Sequence, residues 1–286
     1  MTRSTAQSKV PKRDSWSLSA LYNPLSAERH PLEALLIGLI YSIIAVGLSM
    51  LLFTQDVSSV MIAITVVATL PLAYNVIKLE AAKRNICTTE GCMLNEHRKG
   101  LNVLMLLFAG FVIGYLVWFL ILPAPRISHV FASQLNTILT THTATGQFIG
   151  TDSVLVGIIA NNLRIIGICF LFSVLFGAGA LFILSWNASV MATAIGSAIR
   201  TGLAGGASVF PIAYTSLARY LTHGIPEIAA YFLAGLAGGI LYHATINKRL
   251  DKAALKDIAT LTVIAILLVI CAGLIEVYLT PAIVGG

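Results

Sequence analysis

Long apolar runs separated by short polar ones set the outline of this chain. Leu32 to Phe53 and Val57 to Leu79 each exceed the ~20 residues a helix needs to cross a bilayer. Only Thr54 to Asp56 divides them, so they predict a helical hairpin, with Pro71 kinking its second arm. A third span is expected from about Leu101 to Leu122, and two more over Ile225 to Ile246 and Ile258 to Leu279. Val154 to Leu184 is too long for one upright crossing, which predicts a tilted or interfacial start before a span proper from about Ile165. The stretch 187–221 holds Gly196, Gly202, Gly205, Gly206, Pro211, Arg200 and Arg219, and a broken or re-entrant helix is its natural reading. The fold class is therefore all-α, a polytopic transmembrane helical bundle of about six or seven spans.

Four regions follow. Residues 1–31 form a cytoplasmic or interfacial segment, in which Trp16, Leu18, Leu21, Tyr22 and Leu25 are spaced for a short surface helix interrupted at Pro24. Residues 32–122 make a three-helix membrane half. Residues 123–153, rich in Thr, Ser, His and Gly, make an extracytoplasmic linker, and 154–282 make the second membrane half. The charged stretch 80–100 reads as a solvated loop between the second and third spans.

Composition agrees with the pattern. The chain is 57% hydrophobic and 10% charged, whereas soluble domains carry roughly 25% charged residues; its mean hydropathy is +0.88. The net charge of +6 records topology, not nucleic-acid binding. Of 18 Lys and Arg, 14 fall in the N-terminal tail, the 78–99 stretch and the 248–256 stretch. By the positive-inside rule all three lie in the cytoplasm. The region 154–246 must then cross an odd number of times. Three crossings give seven in total and an extracytoplasmic C-terminus; a re-entrant 187–221 would leave five. No cleavable leader is expected, because the first 31 residues are polar and the first apolar run is long enough to stay as an anchor.

Catalytic signatures are missing: there is no phosphate-binding glycine loop, zinc-type His-Glu-x-x-His helix or Gly-x-Ser-x-Gly elbow. Cys87 and Cys92, with Glu96 and His97 nearby, are too loosely spaced for a convincing metal set. No metal, cofactor or enzymatic activity is expected. What remains is a short list of polar residues at membrane depth: Asn161, Asn162, Arg164, His223, Glu227 and Glu276. Arg164 reads either as a boundary residue snorkelling to the headgroups or as one wall of a polar pocket with the two asparagines. His223-Gly224-Ile225-Pro226-Glu227 reads either as a helix start, with Pro226 in the first turn and Glu227 favoured by the dipole, or as the partner of Arg164. Gly177, Gly179, Gly235 and Gly239 are assigned to close helix packing.

The order of these motifs resembles the stage II sporulation protein M family of membrane proteins. The resemblance rests on Asn161-Asn162-Leu163-Arg164, Phe176-Gly177-Ala178-Gly179-Ala180, Trp186-Asn187-Ala188, His223-Gly224-Ile225-Pro226-Glu227 and Glu276-Val277-Tyr278-Leu279-Thr280-Pro281, over residues 154–282. Asn23-Pro24 and Ala27-Glu28-Arg29-His30-Pro31 look like the extension of a non-sporulation subgroup. The family's founding member is a polytopic scaffold that works with peptidoglycan-cleaving partners and is not itself known as a hydrolase, so the resemblance implies the fold and the membrane location before any process. The expected function is a non-enzymatic membrane scaffold or remodelling component, embedded in lipid and associated with itself or other membrane proteins. The alternative is a transporter or channel using the polar site around Arg164, His223 and Glu227.

Overall fold

Residues 23–83, 90–146, 151–206 and 208–280 are described by a computed structural model of the chain. Asn23 starts the first element by accepting a hydrogen bond from Leu25 N at 3.1 Å, with Pro24 at the first helical position, giving α1 (Pro24–Arg29). Pro31 opens α2 (Pro31–Leu52), which pairs with α3 (Val57–Lys83) across the short polar turn; α4 (Glu90–Ile121) follows. Next come α5 (Ala124–Val130), α6 (Ala132–Gly146), α7 (Thr151–Phe176), α8 (Ala180–Ala204), α9 (Val209–Ile246) and α10 (Lys252–Leu274). Asp251 caps α10 by accepting from Ala254 N at 2.8 Å, and the helix closes in a π turn, Ile275–Leu279. Trp16, Leu18, Leu21 and Tyr22, read as a surface helix, lie outside the described residues, as does Cys87.

Seven helices, α2, α3, α4, α7, α8, α9 and α10, contain a stretch long and apolar enough to cross a membrane. Their cross-contacts fix the directions. Tyr115 on α4 bonds Thr65 on α3 at 2.9 Å, while His97 on α4 reaches Glu80 on α3 at 2.7 Å, so these two helices are antiparallel. Gly38 and Gly110 let α2 and α4 cross in parallel with backbone against backbone. By the same logic α7 runs parallel to α9, with Asn162 near Tyr231 and Gly177 against Tyr242. One end of the bundle gathers the end of α3, the start of α4, the α7–α8 turn and the 247–251 turn. At the other end lie the 53–56 turn, α5 and the α8–α9 turn.

Four expectations change. The apolar run 154–184 is not one tilted span: Gly177, with φ +77 and its N–H bonded to Ser173 O at 2.8 Å, ends α7, and α8 starts three residues later. Residues 187–221 are broken, at Gly205 and Gly206, but not re-entrant, because α8 continues uninterrupted to Ala204 and α9 starts at Val209. Pro226 does not start a helix; it lies inside α9, which begins at Val209. The 80–100 stretch is not simply a solvated loop, since Glu80 is wholly buried and hydrogen-bonded to His97, itself 3% exposed. In the 123–153 segment, α5 and α6 are ordered helices that bury Ile127, Val130, Phe131 and Gln134.

Candidate functional site

Seven helices apolar enough to cross a membrane, among the described residues, leave little polar surface, so each polar side chain inside the bundle needs a partner. Most find one locally. Ser42, Thr65, Thr69 and Thr193 donate to the carbonyl four residues back. Arg200 donates to Leu122 O at 2.8 Å and Phe119 O at 3.3 Å, closing the open carbonyl end of α4. That contact explains how α8 carries an arginine near its end without being broken.

Tyr115 of α4 joins α3 and α8 through the Thr65 and Ser185 hydroxyls at 2.9 and 3.0 Å. A second centre shared by three helices, and the one that holds carboxylates, lies between α7, α9 and the end of α10. Glu227 and Tyr231 are four residues apart and so share a face of α9. Asn162 of α7, 5% exposed, joins them: its Nδ2 donates to Glu227 Oε1, and its Oδ1 accepts from the Tyr231 hydroxyl at 2.6 Å. The amide thus uses both ends. Glu276 is partly buried in the π turn, which packs against both α7 and α9. One position beyond that turn, Thr280 Oγ1 donates to Ile275 O at 3.1 Å and lies 3.5 Å from His223 Nδ1. The π turn brings this five-residue-back hydroxyl bond and the Glu276 carboxyl into the same corner.

Of the expected cluster, Asn162, Glu227, His223 and Glu276 therefore converge, while Asn161 and Arg164 do not. Both are exposed on the outer side of α7. Once Gly177 cuts the long run, Arg164 falls near the middle of the apolar stretch Val154–Phe176 and not at its edge. Glu227 consequently has Asn162 as its partner, not Arg164, and no helix N-terminus to favour it, because Pro226 is internal. The packing glycines sit at contacts: a Cβ on Gly235 would lie 2.6 Å from that of Ala180, and one on Gly239 2.7 Å from Gly177 O. One on Gly179 would meet the Phe172 carbonyl.

Sequence reasoning missed Tyr231, although its spacing from Glu227 was a usable signal. It also missed the Glu80–His97 pair, whose signal was their placement on facing arms of a hairpin. Among the described residues no group of His, Cys, Asp or Glu is arranged to hold a metal ion.

An all-helical bundle of seven apolar helices with a few internally paired polar groups defines a multi-pass membrane protein. The family model for stage II sporulation protein M matches residues 103–281. This chain belongs to that family. The match starts inside α4, so it takes in the third span and α5 and α6 as well as the motifs of 154–282. An uncharacterized protein of Methanocaldococcus jannaschii is similar, with 33% identity over 133 residues, 44% of this chain and 70% of the relative. No solved structure matches.

Proposed function

We propose that this protein is a non-enzymatic membrane scaffold or membrane-remodelling component that associates with itself or with other membrane proteins through the outer face of α7. The observation that carries this reading is Arg164. An arginine at the centre of a spanning helix costs about 2.5–3.5 kcal/mol on insertion scales, and here it is exposed with no hydrogen bond or ion pair to the described residues. The helix that carries it is also the most open of the seven: 17% of its apolar stretch is buried, against 72% for that of α9. Gly167, one turn along, has nothing within 4 Å of where a Cβ would sit, so a neighbouring helix has room to approach. Polar side chains and small residues on one face are what hold helices together in lipid. The concentration of Lys and Arg at one end of the bundle supports a cell-membrane protein with its N-terminal segment cytoplasmic and its C-terminus outside.

Crosslinking after extraction in mild detergent tests this. A product containing a second copy or a defined membrane protein, lost in Arg164→Leu, is expected. A strictly monomeric, partner-free protein with transport activity would sink the proposal.

The second reading is a transporter or channel, favoured by the Asn162–Glu227–Tyr231 centre with Glu276 and His223 beside it. Carboxylates at membrane depth often mark ion or proton paths. Under that reading Glu227→Gln changes flux in proteoliposomes while the protein stays folded. If the substitution only lowers stability, the centre is structural.

A further inference from the structure

The end of the bundle that gathers most of the basic residues also holds a cleft of about 390 Å³ between α3, α9 and the turn after α9. That volume falls within the roughly 300–1,000 Å³ of small-ligand sites. Its polar wall is made by Lys78, His243, Asn247 and Arg249, and the rest of its lining is three alanines. None of the residues lining it is acidic. Two permanent cations thus face one space with no carboxylate in its wall.

His243 makes the cleft more than a charged dent. It is 6% exposed, and its Nε2 is buried with no hydrogen-bond partner among the described residues. The rings of Tyr74 and Tyr242, each 5.2 Å away, hold the imidazole between them. Asn247 is held too, by donating to His243 O at 2.8 Å. The turn carrying Arg249 includes Lys248 at φ +53, and Arg249 N bonds back to Ala244 O at 2.8 Å. The cleft thus has a fixed backbone and a held imidazole and amide at its back, with the exposed ammonium of Lys78 and guanidinium of Arg249 at its mouth. A tetrahedral oxyanion is the ligand that can take hydrogen bonds from both cations at once.

We propose that this cleft binds a phosphate group, that of an anionic phospholipid headgroup. Basic pockets at helix ends meet lipid phosphates at the membrane surface, where each nearby Lys or Arg contributes about 1 kcal/mol.

The test uses the full chain in a zwitterionic detergent, with short-chain phosphatidylglycerol, phosphatidylcholine and inorganic phosphate as separate probes. Adduct retention is read by native mass spectrometry and thermal stabilisation by light scattering. Phosphatidylglycerol is expected to be retained in preference to phosphatidylcholine. Lys78→Ala and Arg249→Ala should each weaken it about five-fold, and Lys252→Ala, an exposed neighbour outside the cleft, should leave it unchanged. If an alanine variant does not fold, Lys78→Gln or Arg249→Gln serves for the same comparison. Inorganic phosphate that binds as well as the lipid, and is lost in the same variants, would assign the site to a soluble phosphate and overturn the lipid source. Equal retention of both lipids, or no loss in the cleft variants, would overturn the proposal altogether.

Discussion

Asn162 and Arg164 stand two positions apart on α7 and face opposite environments. Asn162 turns inward and satisfies both Glu227 and Tyr231; Arg164 turns outward and has no hydrogen bond or ion pair among the described residues. Two residues on a helix are about 200° apart, which is enough to move from core to surface. The inner face of α7 is closed by Ser173, Phe170 and Asn162 against α9, with Gly238 allowing backbone contact. The outer face is open at Leu163, Arg164, Gly167 and Leu171. In lipid both faces are largely apolar, so hydrophobicity does not separate them. The polar residues and the glycines do.

Filling the two glycines should separate the faces most widely. Gly238→Leu drives a side chain into Phe170 O and Ser173 of α7 and should destabilise the fold by about 3 kcal/mol. Gly167→Leu, on the open face, should leave stability within about 0.5 kcal/mol. Denaturation in mixed detergent micelles compares them directly, and equal losses would erase the distinction. Next comes Asn162→Leu, which leaves Glu227 and the Tyr231 hydroxyl without their partner and should cost about 2 kcal/mol. Tyr231→Phe removes only one of the two bonds to Asn162, and membrane hydrogen bonds average about 0.6 kcal/mol, so its loss should be near that value. Arg164→Leu should have the smallest effect on the isolated chain, and the same variant should abolish association.

Most of the spanning helices were legible because they are long apolar runs; the count stayed open between five and seven because α8, with its Gly and Arg residues, shows no such run. Other features were not legible, for physical reasons that can be named. Gly177 looked like one more packing glycine inside a hydrophobic run, since a tight reversal between two spans needs only a left-handed residue and leaves no polar trace. That single turn moved Arg164 from the edge of a span to its centre. Pro226 carried the signature of a helix start, yet α9 runs through it, because an internal proline costs one backbone hydrogen bond to the residue four back without ending a helix that its neighbours hold. Glu80 looked solvated because it sat among charges, and only the closing of α3 on α4 brought it against His97. The Asn162–Glu227 contact joins residues 65 positions apart, so spacing alone named both residues without pairing them.

The central claim is that the outer face of α7 is a protein contact. A photoreactive residue placed at Gly167 in native membranes, with the same group at the lipid-exposed Leu267 of α10 as reference, addresses it most directly. The account predicts a discrete protein–protein adduct, a second copy or one defined membrane protein, from position 167, disappearing with Arg164→Leu, and only lipid adducts from position 267. Lipid adducts alone from both positions would contradict it.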